Sequence, residues 1–281
     1  MQVVFILSLN WAISVMASWV LVTGGATRLG REIGLAFAEA GWNLLCHYRD
    51  SKTQAESVCQ EAFRLGVQAE CIQAELETDG GCKDLFDACT HTAVQDLTCI
   101  VNNASLFIPD AGSDFEENTA LSQIKVNLMA PMRLGKWMHQ YQSKLQKQNS
   151  STPSLVHILD QKVFNLNPDY FSYTTSKLAL ERLVALQAQS FAPTLRINAV
   201  APGLLYPSGP QNLENFKLAA NANLLRRPIS PYEVAKSVLF LASNPCITGT
   251  TLKVDNGQHL IPTERDIMFV VEELMSAQHV Q

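Results

Sequence analysis

From Ser18 onward the chain alternates short, nearly continuous apolar runs with longer segments whose apolar residues return every three or four positions. The runs are "WVLVTG" (19–24), "NLLCHYR" (43–49), "VQAECIQA" (67–74), "LTCIVNNA" (97–104), "SLVHILD" (154–160), "TLRINAVAPG" (194–203) and "TTLKVDNG" (250–257). Helical spacing covers 29–41, 52–65, 80–94, a long stretch at 115–146, and 170–191. Two more helical segments follow a Pro/Gly-rich loop, the second opening at "SPYEVAKSVLFLAS". Gly41 and Gly66 close the first two helices, where a residue free to take positive φ is wanted. Apolar strands alternating with helices predict a parallel sheet covered on both faces. With right-handed crossovers this is an α/β, Rossmann-type doubly wound single domain, with seven parallel strands in the order 3-2-1-4-5-6-7 if it follows the nucleotide-binding pattern. The polar patch "KLQKQNSSTPS" (144–154) reads as a loop before the fifth strand, and no repeat of solenoid length is present.

Composition narrows the function classes. The 281 residues are 47% hydrophobic and carry a net charge of −5, with no lysine- or arginine-rich run, which argues against nucleic-acid binding. Seven scattered cysteines form no C-x-x-C pair and no Cys/His ligand spacing, so they read as reduced thiols of a cytoplasmic protein, without a metal site. The run from Met1 to Val22 lacks any charge and is long enough to raise a membrane span. It also lacks the basic start of a signal peptide, and its end is needed as the first strand. Residues 1–17 are therefore read as an N-terminal extension, non-native or poorly packed, with Met16 just ahead of the fold; a membrane anchor is the alternative. The domain proper is read as 18–262, with a C-terminal tail at 263–281.

Candidate chemistry begins at "TGGATRLG" (23–30), which lies between the first strand and the first helix, where a dinucleotide's pyrophosphate sits on a helix N-terminus. The strict G-x-G-x-x-G is absent. Gly24 permits the tight turn, and Gly30 and Gly34 let the helix approach the sheet. An ordinary βα turn uses glycines in the same way, so the motif alone leaves both readings open. In "YFSYTTSKLALERL", Tyr173 and Lys177 stand four residues apart on one helix face. Alone, that pair also fits an ordinary amphipathic helix.

Taken together, "TGGATRLG", "NNAS", the Tyr173/Lys177 spacing and "NAVAPG" resemble the short-chain dehydrogenase/reductase family in order and interval, over essentially Trp19 to Gly257. Arg28 replaces the family's middle glycine. Asp160 stands thirteen residues before the tyrosine, where the family usually has its catalytic serine. With "NNASLF", these departures look like the pteridine reductase and dihydrofolate/dihydromonapterin reductase branch.

The resemblance assigns Tyr173 as proton donor and Lys177 as the charge that lowers the phenol's pKa and bonds the nicotinamide ribose. It makes Asn127 the active-site asparagine that holds a water; a helix-kinking polar residue is the competing reading. Asp160, at the carboxyl end of the fifth strand, would orient an amino-pyrimidine ring or share protons with Tyr173. Ser105 and Phe107 match the branch's substrate pocket, with Phe107 stacking on a flat pterin. Tyr206, in the loop after Pro202-Gly203, is a further candidate for that pocket, and the loop itself would cover the nicotinamide. Thr23, Gly24, Leu29 and Gly30 belong to the cofactor turn. Asn102, Asn103 and Ala104 would shape the ribose pocket, with Glu75 and Leu76 near the adenine.

The second strand ends without the acidic residue that bonds an NAD ribose, and Arg28 and Arg49 suit a 2′-phosphate. Ser51 and His47 lie alongside, whereas Asp50 complicates the choice. NADPH/NADP is the cofactor so implied.

The implied function is NADPH-dependent reduction of a pterin or folate at a C=N bond. A carbonyl substrate, such as a 3-oxoacyl thioester or small ketone, is the first alternative, and a non-catalytic NADP-binding sensor the second. A homotetramer follows from the resemblance, with the tail packing on a neighbouring subunit. No stable membrane association is expected.

Overall fold

The computed structural model describes residues 18–93, 96–145, 152–209 and 211–278. The expected extension 1–17 lies outside them. The seven strands are β1 (Trp19–Val22), β2 (Asn43–Tyr48), β3 (Ala69–Gln73), β4 (Leu97–Asn102), β5 (Ser154–Ile158), β6 (Arg196–Pro202) and β7 (Thr251–Val254). They form one sheet in the order β3-β2-β1-β4-β5-β6-β7, and every neighbouring pair is parallel. The topology is the one the apolar pattern predicts.

Strand burial follows position in the sheet. Every residue of β1, β2 and β6 is buried, whereas the edge strands β3 and β7 are largely open. Alternate side chains enter opposite layers, as a period of two requires. Val20, Val22, Leu44 and Cys46 join one core with Ile33 and Phe37 of α1 (Arg28–Glu39), Val58 of α2 (Lys52–Arg64) and, further along the chain, Val238. Leu21, Leu45 and Ile100 join the other with Leu85 of α3 (Asp79–Thr92) and, further along, Leu134 and Leu180.

The long helical stretch expected over 115–146 is not a single α-helix. It comprises α4 (Glu117–Ile124), a π turn over Lys125–Met129, and α5 (Ala130–Leu145). The apolar period persists through one inserted residue, so the sequence gives no sign of the break. Such turns recur at functional sites, and Asn127 is at the centre of this one.

The remaining helices are α6 (Phe171–Phe191), α7 (Leu213–Ala219), α8 (Pro231–Ser243) and α9 (Ile267–Gln278). The tail was expected to reach a neighbouring subunit. Within its own chain the start of α9 is anchored: Asn215 of α7 donates to the Met268 carbonyl at 2.9 Å, and Met268 packs with Tyr170 and Tyr173. Met268 and Val271 are buried there, whereas Leu274 is exposed.

Candidate active site

A cavity of about 590 Å³ runs along the carboxyl edge of the sheet, from the turn after β1 to the start of α9. This is where open parallel sheets gather their ligands, because loops leave that edge in opposite directions.

The turn after β1 is fixed from both sides. Gly24 has φ +62°, and a Cβ on Gly30 would stand 2.0 Å from the Gly24 carbonyl oxygen, so the helix can approach only without a side chain there. Arg28, at the family's glycine position, has φ 49°. It keeps the left-handed conformation that glycine adopts freely, at a cost of about 1–2 kcal/mol for a side-chain-bearing residue. Strain held at the mouth of a cavity is a mark of function, and the guanidinium stands 5.9 Å from the Tyr206 ring centre. Arg49 also lines the cavity and is paired with Asp50 at 2.7 Å, which accounts for the misplaced acid noted in the sequence. Ser51, Leu29, Glu75 and Leu76 line the same end.

Several expected cofactor residues support the turn from behind. The Gly24 N–H donates to Nδ1 of buried His47 at 3.0 Å, and the other ring nitrogen faces the Ala74 carbonyl at 3.2 Å. One nitrogen accepts and the other donates, so the imidazole is neutral; burial pushes its pKa down to about 4. Thr23 is buried and absent from the cavity wall. Its hydroxyl accepts the N–H groups of Asn103 and Ala104 at 2.9 and 3.0 Å, tying the end of β1 to that of β4. The Asn103 amide completes the clip by donating to the carbonyls of Thr23 and Gly24.

Asn102 departs from expectation. Its amide donates to buried His157 at 3.1 Å, and the other nitrogen of that ring bonds Gln187 at 2.9 Å. Strand alternation turns Asn102 into the core, and Asn103 and Ala104, past the end of β4, stand on the cavity wall.

At the opposite end, Asp160, Tyr173 and Lys177 share the wall. Asp160 leaves the edge of the sheet after β5, and Tyr173 and Lys177 lie on successive turns of α6. The Tyr173 hydroxyl donates to Asp160 Oδ2 at 2.9 Å, and the Lys162 N–H donates to Oδ1 at 2.9 Å. Burial raises the Asp160 pKa, against the pull of its bond to Lys162. Burial also drives the Tyr173 pKa well above 10, and the negative charge of Asp160 adds to the shift.

This corrects one expectation about the lysine. Lys177 donates to the Ile158 carbonyl at 2.8 Å, and its nitrogen lies 5.7 Å from the centre of the tyrosine ring. Desolvation and the carboxylate dominate the phenol, which stays protonated. Burial lowers Lys177 itself to about 8, against the attraction of Asp160.

Asn127 is an interior residue. It is buried and outside the cavity lining. Its Oδ1 accepts from Ser105 Oγ and the Leu106 N–H, while its amide donates to the Leu106 carbonyl and Ser176 Oγ. With these bonds made, the side chain clips the loop before Phe107 to α6. Phe107 and Ser105 do line the cavity, as do Pro202 and Gly203. Phe107 already stacks on Tyr170, with centroids 4.0 Å apart and planes at 18°, and meets Tyr173 edge-on at 4.6 Å. Tyr206 belongs to the Arg28 end rather than beside Tyr173.

Sequence reasoning missed Tyr170, Lys162 and Asp266. Tyr170 takes φ 58° ahead of α6, a conformation no propensity would predict. Lys162 reaches Asp266 across 104 residues, a pairing with no local signature.

Comparison with known proteins places these features. The family model described as enoyl-(acyl carrier protein) reductase matches residues 24–259. The dihydromonapterin reductase of Citrobacter koseri is 26% identical over 242 residues, covering 86% of this chain and 96% of the relative. The FolM alternative dihydrofolate reductase 1 of Brucella canis, solved in complex with NADP, is 32% identical with a TM-score of 0.79, covering 88% of this chain and 95% of that one. The Brucella suis protein of the same description, also with NADP, is 31% identical with a TM-score of 0.76, covering 87% and 96%.

Proposed function

The chain belongs to the short-chain dehydrogenase/reductase family, and from that premise we propose that it is an NADPH-dependent reductase of a dihydropterin or dihydrofolate. The observation that carries the reading is the buried Tyr173–Asp160 hydrogen bond within the cavity. Where the family usually has a serine hydroxyl to bond a substrate carbonyl, this chain has a carboxyl joined to the proton donor. Its relatives with pterin and folate names agree with that difference.

The chain's own residues fit the cofactor. The lack of a side chain at Gly30 lets the start of α1 close against the Gly24 turn, which sets a helix N-terminus on the cavity wall where a pyrophosphate would bind. Arg49 follows the end of β2 and Arg28 opens α1, both on the cavity wall and both suited to a 2′-phosphate, and β2 ends at Tyr48 without a carboxylate. When bound, NADPH supplies the hydride that reduces the carbon of the C=N bond. Tyr173 gives its proton to the nitrogen, and Asp160 takes up the exchange of protons with the phenol while bonding the amino-pyrimidine edge. Lys177, cationic below its pKa near 8, holds the cofactor side of the cavity. Placement and electrostatics are what the protein contributes.

The reductase domain spans 18–262 in this reading, with 263–281 as its tail. All seven cysteines are free, which supports a reducing, cytoplasmic setting. Among the described residues no helix is long and apolar enough to cross a membrane. A homotetramer is in keeping with the exposed Leu121 of α4 and Leu186 of α6.

The test is the loss of NADPH absorbance with dihydrobiopterin, dihydrofolate and a panel of ketones and 3-oxoacyl thioesters. Turnover of the reduced pterins above the carbonyl panel is expected; turnover confined to carbonyls would remove the reading.

A further inference from the structure

We propose that Asp266, clamped to Lys162, is a specificity-determining residue that keeps anionic substituents out of the substrate end of the cavity. The proposal rests on the pterin reading above and adds to it a residue-level rule for the substrate's side chain.

Lys162 follows Asp160 by two positions, lines the cavity, and has a side chain only 3% exposed. Its ammonium donates to Asn167 Oδ1 at 2.5 Å and to Asp266 Oδ2 at 2.9 Å. Asp266 also lines the cavity, at the entrance to α9, and the segment carrying it is latched to the loop before α6. The Asp266 N–H donates to Asp169 Oδ2 at 2.7 Å, and Arg265 holds the same carboxylate through Nε and Nη2 at 2.8–3.0 Å. Asn165 adds a bond to the Ile261 carbonyl at 2.8 Å.

The consequence is electrostatic. Lys162 and Arg265, the cations of this latch, are each matched by a carboxylate of the latch. Arg28, by contrast, faces the Tyr206 ring at the far end, in the region suited to cofactor phosphates.

A substituent ending in carboxylates would lose its hydration at the substrate end, meet Asp266, and find the neighbouring ammonium of Lys162 already paired. An uncharged, hydroxylated substituent meets acceptors instead. Asp266 is one. Gln161 is another: it lines the cavity, is mostly buried, and its side-chain oxygen has no partner. Selection here operates by building repulsion against the wrong ligand as much as by contact with the right one.

The experiment compares NADPH-dependent turnover of 7,8-dihydrobiopterin, whose side chain is a neutral diol, with that of 7,8-dihydrofolate, which ends in a glutamate. The wild-type protein is expected to favour dihydrobiopterin in kcat/KM by about tenfold or more. Asp266→Asn keeps the shape but releases the charge of Lys162, so the preference should shrink by about fivefold or more, through a lower KM for dihydrofolate with kcat little moved. Adding Lys162→Met to that variant should abolish the gain in KM. A purely structural role for Asp266 would depress both substrates alike and overturns the proposal. If the variants fail to fold, the wild-type ratio still decides: parity, or a preference for dihydrofolate, overturns it. Reduction of neither substrate brings down the pterin reading itself, an outcome distinct from reduction of both without preference.

Discussion

The hydroxyl of Tyr173 and Oδ2 of Asp160 stand 2.9 Å apart and form one hydrogen-bonded acid pair inside the cavity. Burial raises both groups, so the pair is disposed to hold a proton rather than release it. The pair thus meets the substrate protonated, and its proton can leave only as hydride arrival makes the ring nitrogen basic.

Tyr173→Phe is expected to lower kcat about a hundred- to ten-thousandfold while leaving NADPH affinity near that of the wild type. Single-turnover rates and NADPH fluorescence titration measure the two separately. Unchanged kcat would show that the proton travels by another route.

Coenzyme choice should depend on the guanidiniums of Arg28, at the start of α1, and Arg49, just past β2. Arg28→Ala is expected to raise KM for NADPH by about tenfold to a hundredfold, the scale of a lost charged hydrogen bond, and to leave KM for NADH nearly unmoved. Arg49→Ala should act in the same direction and more weakly, because its guanidinium is more than half exposed and shared with Asp50. Equal effects on the two coenzymes would place the 2′-phosphate elsewhere.

His47 and His157 make the protein acid-sensitive. Burial lowers both from 6.5 to about 4, so each is neutral in the fold and takes up its proton more readily when unfolded. Their contribution is present above pH 6.5 and is lost as pH falls through 4, by up to about 1.4 kcal/mol per pH unit for each group. Urea unfolding at successive pH values should show this slope, and His157→Gln should flatten it. A slope identical in the variant would assign acid lability to other groups.

Arg196 is a buried structural clamp. It donates to the carbonyls of Leu241 and Ala242 in the last turn of α8, and to those of Thr152 and Ile247. Those bonds satisfy helix-end acceptors that would otherwise be orphaned. Arg196→Met should cost about 3 kcal/mol of stability, read as a lower midpoint in urea, with KM values unchanged in the protein that remains folded.

Periodicity carried the fold. The uninterrupted burial of β1, β2 and β6 is what continuous apolar runs mean, and the order of strands followed from the crossover rule. The spacing of Tyr173 and Lys177 and the placing of Asp160 after a strand were equally visible, because chain geometry alone brings them to one edge. The rest depended on information that local pattern does not carry. The π turn at Asn127 shifts the helix by one residue without disturbing its apolar rhythm. Strand alternation separated Asn102 from Asn103, although the motif contains both. The charge of Lys177 was readable, yet how far desolvation would outweigh it at Tyr173 was not. The Lys162–Asp266 pair joins segments that only tertiary folding brings into contact.

That last pair has a bearing on how the enzyme comes into being. Residues 24–30 open the cavity and residues 261–267 close it, so its lining joins segments that lie far apart along the chain. During synthesis the glycine turn can take shape while the tail is still on the ribosome, but the substrate end has to wait for the tail. A shortened product lacking α9 and the acid before it could retain the dinucleotide half of the site and would lack the side that judges the substrate.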